Sequence, residues 1–162
     1  VTTDYTKFIE RKSQLGDACG FDPPWVPDFL FDFQKHLVEW SVRKGRAAIF
    51  ADCGLGKTPM QLVWAENVAR KTGKRVLVIA PLAVAMQTQR EAEKFGIDAK
   101  LSRDGSLHRI VITNYERLHY FKQDDFIGAV ADESSAIKAF DGRRRKQVVR
   151  FFSKLPYRLL CT

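Results

Sequence analysis

Cysteine is scarce and scattered in this 162-residue chain: Cys19, Cys53 and Cys161 stand far apart and are odd in number. Such a set offers neither a disulfide framework nor a zinc site, and it fits a reducing cytosol. Histidine is as thin, with His36, His108 and His119 dispersed along the chain. No apolar run approaches the ~20 residues of a membrane span. The opening "VTTDYTKFIERKSQLGD" lacks the apolar centre of a secretory signal. These absences lead us to expect a soluble, cytoplasmic protein with no membrane partner. Acidic residues are also in deficit, 19 Asp and Glu against 27 Lys and Arg, a formal net charge of +8 spread along the chain. That excess points to a polyanionic partner, nucleic acid before membrane.

The length suits one domain with a full core and is too short for two lobes of ordinary size. There is no internal repeat and no low-complexity tract. Residues 1–31 read as an N-terminal arm, a weak helical pattern followed by "GFDPPWVPDFLF", whose prolines and aromatics suit an extended segment laid across a surface. From residue 32 onward strands and helices alternate. Phe33, Leu37, Trp40 and Ser41 recur at helical spacing up to a stop at Gly45. "AAIFA", "RVLVIAP", "HRIVITN", "FIGAVAD" and "YRLLCT" read as strands. Helices are expected from the glycine turn to Gly73, over "AVAMQTQREAEKFG", and around Val148, Phe151, Phe152 and Leu155. Alternation with apolar strand interiors predicts an α/β fold, a parallel sheet with helices on both faces.

Two sites carry chemistry. After "AAIFA" comes Asp52-Cys53-Gly54-Leu55-Gly56-Lys57-Thr58 and then a helix. Glycines let backbone N–H groups curl round phosphate oxygens, and the helix N-terminus adds favourable partial charge. Lys57 reaches the β- and γ-phosphates, and Thr58 ligates magnesium. The usual pattern opens on glycine, where this chain has Ala51. Pro59 lies in the helix's first turn, where a missing N–H costs little. The second site is Asp132-Glu133, emerging from "FIGAVA" at the carboxyl end of a strand, where an open parallel sheet places its ligands. Phosphoryl transfer needs a carboxylate on magnesium and a group to orient or deprotonate water, and adjacent acids provide both.

Together these strings resemble the first RecA-like lobe of a superfamily-two helicase, most of all the Swi/Snf-type branch with its phage and bacterial DEAD/DEAH-like members. The resemblance runs from about residue 29 to 162. "FDFQKHLVEW" resembles the adenine-reading segment, with Gln34 placed 23 residues before Lys57. "ADCGLGKT" resembles motif I (Walker A), "VIAPLAV" motif Ia, "ITNYERL" the next nucleic-acid-contacting motif, and "DESSAIK" motif II. Ile137-Lys138 after the acids points to the Swi/Snf branch. The resemblance implies ATP and Mg2+ as ligands. Gln34 would bind adenine, and Gly54, Leu55, Gly56, Lys57 and Thr58 would hold the phosphates. Thr58 and Asp132 would hold the metal, and Lys57, Asp132 and Glu133 would do the catalytic work. Pro81, Leu82, Thr113 and Asn114 would lie on the nucleic-acid side, with duplex DNA as the partner and a bacterial or phage-infected cell as the setting.

Two departures qualify the resemblance. Ser135 stands where close relatives carry histidine, and "YRLLCT" resembles the run into motif III but ends at Thr162. The expectation is therefore a lobe whose second RecA-like partner is missing. That partner would supply an arginine to the transition state, worth ~10³–10⁵ in rate, so the lobe alone should bind nucleotide and turn it over slowly. Arg143, Arg144, Arg145 and Lys146 fall in the first turns of a helix, where cations oppose the dipole. A phosphate backbone or an acidic partner would explain the cluster, as would a solvated face. An RNA helicase lobe, or a docking module with a structural nucleotide, remain alternatives to the DNA-dependent ATPase.

Overall fold

The computed structural model describes residues 18–52 and 54–162. The helical pattern read in the first twenty positions lies outside the described residues as far as position 17, as does Cys53. The elements are α1 (Asp32–Lys44), β1 (Arg46–Ile49), α2 (Lys57–Thr72), β2 (Arg75–Ala80), α3 (Leu82–Lys94), β3 (Ala99–Leu101), β4 (Ile110–Asn114), β5 (Phe126–Ala131), α4 (Gly142–Ser153) and β6 (Tyr157–Cys161). Three 3₁₀ segments, Tyr115–Tyr120, Gln123–Asp125 and Ser134–Ala139, flank β5. The six strands are all parallel, in the order β1-β6-β5-β2-β4-β3. Parallel neighbours need a long crossover, which is why helices separate most of them.

Side-chain alternation divides the core in two. Val76, Val78 and Ala80 of β2 join Ile110, Ile112, Val130 and Leu159 on one face, beneath α1, α2 and α3. Leu77 and Ile79 point the other way, to Val111, Ala129 and Ala131, and meet Val148, Phe151 and Phe152 of α4. The period of two in a pleated strand sorts consecutive apolar residues onto opposite faces. Three helices seal the first face. The second has α4 and the 3₁₀ segments, and an apolar groove of about 440 Å³ lies between α4 and the β1 edge, lined by Ala48, Val149, Phe152 and Leu160.

Helix ends follow local chemistry. Gly73 adopts the left-handed conformation and returns its amide to Ala69 O, closing α2. Asp141 caps α4, its carboxylate accepting from the Arg144 amide at 2.9 Å. This cap offsets the unfavourable run of cations that follows it. The segment before α1 is docked on α2 by a reciprocal pair: Trp25 N–H donates to Asn67 Oδ1 at 2.9 Å, and Asn67 Nδ2 donates to Trp25 O at 2.7 Å.

Three details differ from the sequence reading. The buried face of α1 is Gln34, Val38, Ser41 and Val42, while Phe33 and Trp40 are each 44% exposed. The helix has turned a polar residue inward because Gln34 finds backbone partners there. β1 stops at Ile49, and Phe50, expected inside a buried run, is 79% exposed. The edge strand β3 was not expected: it is three residues long, too short for alternation to register.

Candidate nucleotide and nucleic-acid site

The glycine turn joins β1 to α2 and is held from behind. Gly54 (φ 83°) and Gly56 (φ 69°) both lie in the left-handed region, open to glycine at no steric cost. A Cβ on Gly56 would collide with the Gln34 amide. Gln34 Nε2 donates to Leu55 O at 2.9 Å, and its Oε1 accepts from Phe31 N–H at 3.0 Å. Gln34 is thus a buried clamp on the loop, not an exposed helix residue. Both ends of its amide are engaged by the chain, so direct reading of adenine would require it to release Leu55.

Lys57 opens α2 and folds back, donating from Nζ to Ala51 O at 2.9 Å and lying 3.8 Å from Glu133 Oε1. Thr58 follows it on the same cavity. Gly54, Gly56, Lys57, Thr58, Asp132 and Glu133 line one space of about 500 Å³. A second space of about 460 Å³ adjoins it, where Phe33, Phe50 and Leu55 present apolar surface beside Lys57 and Glu133. Phe33 and Phe50 meet here, in an apolar recess next to the glycine turn.

The acids come from the end of β5, with Asp132 N–H continuing the ladder to Ile79 O at 2.8 Å. Tyr115 O–H donates to Asp132 O at 2.6 Å. Glu133 then turns sharply with φ 49°, the only non-glycine residue with positive φ among those described. Such a conformation costs on the order of 1–3 kcal/mol and persists where surroundings enforce it, typically at functional sites. Asp132 is 5% exposed, and burial pushes its carboxyl above the usual carboxylate range; a hydrogen bond from Gln61 opposes this and the Glu133 charge adds to it.

Gln61 was missed in the sequence. Its Nε2 donates to Asp132 Oδ1 at 2.6 Å, while its Oε1 is buried without a partner. The available signal was spacing: Gln61 lies four residues after Lys57, on the same side of α2. The donor set fits a magnesium nucleotide. Two left-handed glycines line the cavity, a helix N-terminus and a lysine face the same space, and a buried carboxylate is fixed through one oxygen by Gln61.

Comparisons with known proteins are consistent with this geometry. No family model matches the sequence, and no curated protein matches it. Among solved structures the chain is similar to the SWI2/SNF2 ATPase core of Sulfolobus solfataricus in complex with dsDNA, with TM-score 0.71, 22% identity, and 88% of this chain and 33% of that one covered. It is also similar to the UvsW helicase of bacteriophage T4, with TM-score 0.68 and 13% identity over 97% of this chain and 59% of that one. The likeness shows the fold, a RecA-like lobe built on a parallel sheet. The chain spans about a third of the length of the Sulfolobus ATPase core.

Within this RecA-like lobe the other predicted residues separate. Pro81 ends β2 and Leu82, 65% exposed, opens α3 on the surface. Thr113, expected on the nucleic-acid side, is fully buried and donates to Ser102 O at 3.1 Å. Its hydroxyl is used inside the fold, because β4 pairs with both β2 and β3 and neither face is open. Asn114 is 4% exposed, with an unpartnered buried Oδ1. Arg143 and Arg145 are exposed at the start of α4. Arg144 is half-buried, 3.7 Å from Glu116 Oε1 and over the Phe140 ring. Among the described residues no helix is long and apolar enough to cross a membrane.

Proposed function

We propose that this chain is the ATP-binding lobe of a nucleic-acid-dependent ATPase, a duplex-DNA translocase or helicase of Swi/Snf type. One observation carries the reading: Lys57, Thr58, Asp132 and Glu133, drawn from two separate strand ends, line a single cavity beside a left-handed glycine loop.

In this reading the loop amides and Lys57 hold the phosphates, Lys57 exchanging its bond to Ala51 O for phosphate oxygens. The Thr58 hydroxyl and the Asp132 carboxylate would hold magnesium, which would supply charge neutralisation to the phosphates. Glu133, more exposed than Asp132 and turned into the cavity mouth, orients or deprotonates the attacking water. The recess of Phe33, Phe50 and Leu55 receives the base, and Gln34 fixes the loop against it. Pro81, Leu82 and Asn114 lie at the carboxyl ends of β2 and β4, the end of the sheet that also carries Asp132, and this is the side on which nucleic acid would run. A second RecA-like lobe completes the site with an arginine, contributing ~10³–10⁵ in rate.

The test is ATP hydrolysis by this lobe joined to a second lobe, assayed with duplex DNA, single-stranded DNA and RNA, with Glu133→Gln as control. Stimulation by duplex DNA that disappears in the variant supports the proposal. Stimulation by RNA alone would move the protein to the RNA helicases, and MgATP binding with no hydrolysis under any condition would leave a docking module.

A further inference from the structure

The arginines that the sequence groups together part company in the folded chain. Arg144 turns to Glu116 and Phe140. Arg143 instead joins Lys146, Arg150 and Lys154 along a groove of about 520 Å³ between α4 and the 3₁₀ segments that precede β5. These four residues recur at i, i+3, i+7 and i+11, which places them in one stripe along the helix. At 1.5 Å per residue the stripe is about 16 Å long. Its floor carries the apolar edges of Phe121 and Phe151, and Asp124 is the single carboxylate in its lining.

Among the described residues none of these four cations forms an ion pair. Lys146, Arg150 and Lys154 are like charges at i, i+4 spacing, an arrangement that destabilises a helix unless an anion shares it. The helix starts at the end of the sheet that carries Asp132 and returns to the start of β6. The stripe therefore leads from the nucleotide end of the lobe to the opposite end. A discrete acidic ligand needs convergent donors, whereas evenly spaced cations on a straight rod match a polymer of evenly spaced charge. One strand of duplex DNA presents about one phosphate per 3.4 Å of axis, so a stripe this long faces about four or five.

We propose that this groove on α4 binds the sugar-phosphate backbone of duplex DNA, as a track distinct from the strand-end residues Pro81, Leu82 and Asn114. The inference rests on the nucleic-acid reading above. Contact is to phosphate alone, without sequence preference.

The experiment measures binding of a fluorescein-labelled duplex by anisotropy across about 50–200 mM salt, for the full chain and for the double variant Arg150→Gln/Lys154→Gln. Losing two phosphate contacts should lower the salt slope by about 2 and weaken binding about tenfold to hundredfold near 0.1 M salt. The charge-retaining Arg150→Lys/Lys154→Arg variant should bind as the wild type does, and MgATP-analogue affinity should be the same in all three. An unchanged slope in the glutamine variant overturns the groove while leaving the nucleic-acid reading intact. No duplex binding by the wild type, with MgATP still bound, overturns both. Poly-glutamate of matched length binding as tightly as the duplex, with the same loss in the variant, overturns the inference in favour of an acidic protein partner.

Discussion

The cavity beside the glycine loop and the basic groove on α4 both gather charge, by opposite means. In the cavity the central groups are tied to the chain around them: Asp132 to Gln61, Lys57 to Ala51 O, and the glycine loop to Gln34. In the groove four cations stand on one exposed helix face with little fixing them. Coordinating a small ligand needs each donor within a fraction of an ångström of its place, so the fold surrounds it with supporting bonds. Holding a polymer's charge needs only number and spacing. Substitutions should therefore act sharply and individually in the cavity, and weakly and additively in the groove.

The largest effect should come from Glu133→Gln, which keeps the turn but removes the base. Single-turnover ATP hydrolysis should fall about 10²–10⁴-fold with MgATP affinity retained; equal loss of binding and hydrolysis would make Glu133 part of the binding set instead. Gly56→Ala adds a Cβ at positive φ against the Gln34 amide, and titration with a fluorescent ATP analogue should show affinity about ten- to hundredfold lower for ~1–3 kcal/mol of strain. Gln61→Leu leaves Asp132 without its side-chain donor. The Mg2+ concentration needed for half-maximal nucleotide binding should rise about 10–100-fold, whereas nucleotide affinity without metal should stay level.

A structural control sharpens the contrast. Glu66, buried on α2, takes two hydrogen bonds from Arg109 and one from Arg70. Burial by itself would raise its carboxyl, but the two guanidinium groups outweigh that and hold it below its ordinary value of 4.5. Arg109→Leu should cost about 1.5–3 kcal/mol in urea unfolding at neutral pH. Because the folded carboxyl is lowered, that contribution is present above about pH 4.5 and disappears as acid protonates Glu66. Smallest of all should be Arg145→Gln, outside the groove lining, with duplex affinity changed less than about twofold; a loss matching that of Arg150→Gln would erase the distinction between stripe and surface.

Much of the fold was legible because its signals are local. Five β-branched or apolar runs, three of them followed by a helical pattern, are enough to specify a parallel α/β sheet, and Gly54, Gly56, Lys57 and Thr58 carry their meaning in adjacent positions. Phe33 and Phe50 were misread because apolar periodicity says that a side chain has a face without saying what that face meets, whereas Thr113 was expected on the nucleic-acid side from motif resemblance and the fold spends its hydroxyl on Ser102 O. Gln61 escaped notice because its partner Asp132 lies 71 residues away.

The order of residues along the chain was sufficient to mark the glycine-lysine turn, the acid pair and the alternation of strands with helices, since each depends on neighbours in sequence and on backbone geometry. Packing alone chose which polar groups went inside: Gln34 behind the loop, Gln61 beside Asp132, Thr113 onto Ser102. Packing also divided the arginine cluster, turning Arg144 inward to Glu116 and leaving Arg143 to the stripe on α4. A buried polar group must find its partner wherever the fold brings one, and that distance through space is not written in the distance along the chain.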